Sequence, residues 1–221
     1  MFFRKDYATP GPGIDPDAPE KTGFARFIEI IQLECVTLVK LNLLFVASCL
    51  LVVTIPPAIF AMNHIARKMV RDEPVTLFYD YRTAFRTFWK NSYAAFALTG
   101  LPLICAGVGA FFYLNRAGTN PMFLMPFVLC STVFLAALLA APYVYGLLDA
   151  GVELRRTVRL AMVLSFGRPL RAIAAAVTGL GFVLVAVLEI PISLLFLLLI
   201  GFSVPCLLAN FYIRKLLESV S

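Results

Sequence analysis

The sequence predicts an all-α fold: a polytopic transmembrane helical bundle of five to six membrane segments, two C-terminal helical hairpins among them, with amphipathic cytoplasmic interface helices. Three observations predict it. Of 221 residues, 61% are hydrophobic and only 14% charged, where a soluble domain carries about a quarter charged residues. Mean hydropathy is +0.88. Long apolar stretches recur between short polar clusters, as expected of segments matched to a hydrocarbon core of about 30 Å.

Residues 1–22 make no such segment. Thr9-Pro10-Gly11-Pro12-Gly13 and Asp15-Pro16-Asp17-Ala18-Pro19 favour turns and extended backbone. This stretch reads as a solvated arm, and residues 23–221 as a single membrane-embedded helical domain. Apolar residues begin in earnest only after the arm, unlike a cleavable signal. From Gly23, the apolar Phe24, Phe27, Ile28, Ile31, Cys35 and Leu38 are interleaved with Arg26, Glu29, Glu34 and Lys40 at helical spacing. That pattern predicts a helix lying partly in the interface, running directly into the apolar Leu41–Thr54. Ile55-Pro56-Pro57 is expected to interrupt it, because each proline removes a backbone donor and the second constrains the first. Ala58–Val70 is about 13 residues, roughly 20 Å of helix, too short to cross alone. It reads either as a short returning helix or as one on the membrane surface. Further spans are predicted at Tyr93–Leu114, Pro121–Leu148, Ala172–Leu188 and Ile192–Ile213, the last two separated by Glu189-Ile190-Pro191. Pro102, Pro126, Pro142 and Pro205 lie within or near these spans and read as tolerated kinks.

The net charge of +6 comes from 19 Lys and Arg residues clustered between apolar runs, a distribution that points to membrane topology and away from nucleic acid. Residues 1–40 hold 5 of them, 60–92 hold 6, Arg116 stands alone, 149–171 hold 5, and 2 follow residue 213. If the Pro56-Pro57 break marks a hairpin, 18 lie inside and one outside; if residues 41–62 make one kinked crossing, the division is 13 against 6. The hairpin is the preferred reading and puts the N-terminus inside. Both readings keep the two basic loops and the C-terminus cytoplasmic.

Leu77, Phe78, Tyr81, Phe85, Phe88 and Trp89 recur at helical spacing between Asp80, Arg82, Arg86 and Lys90, predicting an amphipathic helix in the first basic loop. Asp149, Glu153, Arg155, Arg156 and Arg159 open a second, more basic segment. Phe78, Tyr81, Phe85, Phe88, Arg155, Arg156 and Arg159 are therefore the candidate contacts for anionic lipid or a protein partner. Glu189 is the candidate polar membrane residue, and the lone His64 reads as a satisfied polar group near the interface. Ala136, Ala137, Ala140 and Ala141, like Ala172, Ala175 and Gly179, put small side chains on one stripe for close helix contact. Thr87–Leu101 is echoed by Ser165–Leu180, a pattern that apolar sequence also produces by chance. The five cysteines show no C-x-x-C spacing and no neighbouring ligand cluster. No nucleophile–base set, phosphate loop or H-E-x-x-H motif can be assembled, so neither catalysis nor a cofactor or metal is expected.

Tyr7 with Pro10-Gly11-Pro12-Gly13-Ile14, Glu20-Lys21-x-Gly23-Phe24, Leu41-Asn42-Leu43-Leu44, Thr54-Ile55-Pro56-Pro57-Ala58, and Phe78 with Phe85 before Asn91 together resemble the YesL-like family of small bacterial integral membrane proteins, domain of unknown function 624. Pro56 departs from the glycine more usual there. The resemblance implies a bacterial cell membrane and a genetic setting beside carbohydrate ABC importers and glycan-degrading enzymes. The chain lacks the E-A-A…G loop of importer permeases. The expected role is an accessory or assembly partner of a carbohydrate uptake system, with a small independent carrier or channel as the alternative.

Overall fold

A computed structural model describes residues 23–118, 120–167, 173 and 197–218. The arm over residues 1–22, the span Ala172–Leu188, the second copy of the echo beyond Gly167, and Glu189 lie outside the described residues. Every described element is helical: α1 (Phe24–Cys49), α2 (Ile55–Val70), α3 (Leu77–Thr87), α4 (Trp89–Ala117), α5 (Leu124–Asp149), α6 (Leu154–Gly167) and α7 (Ser203–Glu218), with a π-helical turn at Leu197–Gly201. Among the described residues, four helical stretches are long and apolar enough to cross a membrane: Ala25–Cys49, Trp89–Ala117, Pro121–Asp149 and Leu197–Arg214.

The expected interface helix and the apolar run after it are one helix, α1. Phe27, Ile30, Leu38, Leu41 and Phe45 form its buried stripe at helical spacing. Its interruption falls just ahead of the prolines: Leu51 is extended, and Val52–Thr54 make one 3₁₀ turn. Thr54 Oγ1 closes the turn by donating to the carbonyls of Leu51, at 2.6 Å, and Ser48. Pro56 and Pro57 then occupy the first turn of α2, where a missing N–H costs nothing and a fixed φ suits the helix. The prolines thus begin the second helix rather than end the first.

Of the two readings of residues 58–70, the structure has the returning helix. Arg26 near the start of α1 meets Asp72 just past the end of α2, at 2.5 Å, so the two helices run antiparallel. α2 does not lie on a surface; it is the centre of the bundle. Ala58, Phe60, Ala61, Met62, Ile65, Ala66, Met69 and Val70 are buried, and α1, α3, α4, α5 and α7 all pack on it. Its alanines let those neighbours approach closely.

α4 and α5 form a tight hairpin, entered through Asn120, whose side chain accepts from the Met122 amide at 3.0 Å. A Cβ on Gly109 would stand 2.9 Å from Cys130 Sγ, so a larger residue there forces a shift, and one on Gly107 would stand 3.3 Å from Phe134, a tight contact. Ile104, Val108, Phe111, Met125, Val128 and Leu129 face outward, as lipid-facing side chains do. α6 packs on α5 through a stripe of Thr157, Ala161 and Ser165. Ser165 Oγ donates within its own helix to the Ala161 carbonyl at 2.6 Å and across to Leu139 at 3.3 Å.

Candidate functional site

His64, Arg67 and Lys68 in the last two turns of α2, with Arg71 just past its end, share one face of a helix that is otherwise apolar but for Asn63. Two other helices bring acids to them. Asp149, the last residue of α5, takes His64 Nδ1 on one oxygen at 2.6 Å and Arg67 Nη1 on the other at 3.1 Å. Arg67 also donates to the Gly146 carbonyl, and both partners of that pair are nearly inaccessible, with side chains 7% and 9% exposed. Asp80 in the first turn of α3 accepts from Lys68 Nζ and from the Thr76 amide, each at 2.8 Å. Burial pushes the Asp80 carboxyl up, but the Lys68 ammonium and the Thr76 amide outweigh it and leave the group below the ordinary carboxylate value. Arg71 makes a loose pair with Glu73 at 3.8 Å, both partly exposed. On the far side Arg214 of α7 donates to the Val70 carbonyl at 3.0 Å, occupying an acceptor at the end of α2.

His64, Arg67, Lys68, Arg71, Glu73, Asp149 and Ala150 line a cavity of about 250 Å³. Among the described residues, no three His, Cys, Asp or Glu side chains converge as metal ligands.

A second polar feature lies within the apolar core. Asn42 of α1 is fully buried and grips the broken backbone ahead of α7 with both ends of its amide. Nδ2 donates to the carbonyls of Leu197 and Leu198 at 2.9 and 2.6 Å. Oδ1 accepts from the amides of Phe202 and Ser203 at 2.9 and 3.0 Å. A helix broken in apolar surroundings strands its carbonyls and amides, and one side-chain amide satisfies two of each here. Asn210 of α7 reaches Asn63 of α2 at 3.1 Å.

The aromatic stripe of α3 does not present one outward face. Phe78 is exposed, whereas Leu77, Tyr81 and Ala84 turn inward. Tyr81 donates to Ser48 Oγ at 3.1 Å, and burial pushes its phenol up to about 12. Phe85 packs half-buried against the core, and Phe88 stacks on Phe60 of α2 with ring centroids 4.8 Å apart. Arg155, Arg156 and Arg159 are exposed on α6. Sequence reasoning missed the ionic cluster: it took His64 alone and assigned Asp149 to the next basic segment. Four basic-capable residues on one face of an apolar helix were the available signal.

A family model described as a protein of unknown function, DUF624, matches residues 38–116. That segment runs from the second half of α1 through α4 and includes Asn42, His64, Arg67, Lys68, Arg71 and Asp80. No curated protein and no solved structure matches the chain.

Proposed function

With residues 38–116 a segment of the DUF624 family, we propose that this chain is a non-enzymatic integral membrane protein serving as an accessory or assembly partner of a carbohydrate ABC-type uptake system. It sits in the bacterial cell membrane with its basic loops inside. One observation supports a scaffold above all: the polar side chains at the heart of the bundle join helix to helix. Asp149 ties α5 to α2, Asp80 ties α3 to α2, and Asn42 ties α1 to the start of α7. The outer face of the α4–α5 hairpin remains as an apolar surface on which a membrane partner can pack. The sugar-uptake setting itself comes from the family resemblance. Affinity purification of the tagged protein from native membranes in mild detergent, followed by mass spectrometry, is expected to recover importer permeases at stoichiometric levels. Recovery of the protein alone, with the permeases intact elsewhere in the same membranes, would refute the assignment.

A carrier is the second reading, favoured by the discontinuity at Leu197–Phe202, since broken helices accompany substrate sites in many transporters. Vesicles reconstituted with the pure protein would then show solute flux that is lost on Asn42→Leu.

A further inference from the structure

We propose that the cavity at the end of α2 is a binding site for a phosphate ester, the anionic group of a phospholipid headgroup or of a soluble phosphate ester. Arg67, Lys68, Arg71 and Arg214 gather around the end of one helix, opposed by Asp149, Asp80 and Glu73. Among the side chains that line the cavity, Arg67, Lys68 and Arg71 face Asp149 and Glu73, one cation in excess before His64 is counted. Cations at a helix C-terminus suit the helix dipole, which accounts for a lysine and an arginine in the last turn. It does not account for a cavity, nor for a guanidinium buried as deeply as that of Arg67.

The commitments of the cluster are uneven, and this makes it receptive. Asp149 consumes Arg67 and His64 Nδ1, and Asp80 consumes one Lys68 donor. Arg71 holds its acid only at 3.8 Å on the rim, so its planar fork can turn to a better acceptor. Lys68 keeps further donors on the same ammonium. A phosphate offers several strong acceptor oxygens to donors arriving from different directions, which suits an arginine on the rim and an ammonium beside it better than one carboxylate would. About 250 Å³ is below the roughly 300–1,000 Å³ of pockets for drug-sized ligands, and fits a headgroup-sized anion.

Position favours the same chemistry. Asp149 and Arg214 are the final residues of two candidate spans, and Arg26, tied to Asp72, stands one residue inside the start of a third. The cavity therefore opens where membrane helices end, at the depth of lipid phosphates. This goes beyond attraction of exposed Arg155, Arg156 and Arg159 to a charged surface, because the site is walled and holds buried donors.

The test uses the full chain purified in mild detergent, titrated with phosphatidylglycerol or the phosphate-free diacylglycerol of the same acyl chains and read by native mass spectrometry. Phosphatidylglycerol should be retained in preference. Arg71→Gln should weaken it about fivefold, the weight of one basic side chain at an anionic surface; Arg71→Lys should restore most of the loss. Arg116→Gln, which removes a cation in the last turn of α4, should change nothing. Displacement of the lipid by glycerol phosphate would identify a site open to soluble esters, and resistance to it a lipid site. Equal retention of the two lipids, or equal behaviour of Arg71→Gln and Arg116→Gln, would overturn the proposal. Unchanged circular dichroism and elution of Arg71→Gln exclude misfolding as the cause.

Discussion

Replacing Asn42 by leucine keeps the number and branching of the side-chain heavy atoms and deletes four hydrogen bonds, to Leu197, Leu198, Phe202 and Ser203. A hydrogen bond between membrane helices contributes about 0.6 kcal/mol on average, and one in a soluble core about 1 kcal/mol. Four such bonds, all shared with backbone groups that water cannot reach, place the loss at about 2–4 kcal/mol. Aspartate should be no rescue, since it keeps the acceptor but turns a carboxylate toward the two carbonyls. The assay is an SDS titration in mild detergent followed by far-UV circular dichroism, with Asn115→Leu as control. Asn115 is exposed and its Nδ2 donates to the Phe111 carbonyl of its own helix, at 3.0 Å, so its loss should stay within about 0.5 kcal/mol. If Asn42→Leu also stays within about 0.5 kcal/mol of the native chain, the clamp does not hold the broken helix and the reasoning fails.

Asp149→Ala strands the buried Arg67 guanidinium and should cost about 3–5 kcal/mol in the same titration, whereas the double substitution Arg67→Met with Asp149→Leu should recover most of it; an equally destabilised double variant would contradict this. Asp80 has its carboxyl held below the ordinary value in the folded chain, so its contribution is fully present above that ordinary value of 3.8 and is lost as pH falls through the lower folded value. Thermal unfolding followed from about pH 5 down to about pH 2 should therefore show an acid-side loss that Asp80→Asn reduces, and identical pH profiles would remove Asp80 as its source. Gly109→Ala drives a methyl group into Cys130 Sγ and should destabilise the α4–α5 hairpin by about 1–3 kcal/mol. Cys130→Ala should relieve that cost, and strict additivity of the two changes would mean the helices do not meet there.

The resemblance read from short motifs placed Leu41-Asn42-Leu43-Leu44 among its markers without a reason for the asparagine. The reason is the backbone of Leu197–Ser203, and it could not be seen from α1 alone. The proline pair shows a different limit. Pro56-Pro57 announced a break because proline excludes helix behind it, yet the same chemistry makes proline a good first-turn residue. The stop came just earlier, at Leu50–Thr54, residues with no strong local signal. Tyr81 and Phe88 show a third limit: aromatic residues at helical spacing mark an apolar stripe, but spacing does not say whether lipid, a partner or α2 covers it.

What the sequence determined by itself was the solvent and the element type. Hydropathy, charge clustering and helical periodicity are properties of neighbouring residues, and they sufficed for a helical membrane protein and for the approximate ends of the spans Tyr93–Leu114 and Pro121–Leu148. The tertiary structure alone decided that the short Ile55–Val70 segment is the centre of the bundle, that His64 and Arg67 share Asp149, and that Asn42 completes a broken helix. Those contacts join residues 85 and 155 positions apart. A polar side chain in an apolar stretch declares only that it needs a partner, because the cost of burying it is local while the group that offsets the cost is brought by the fold.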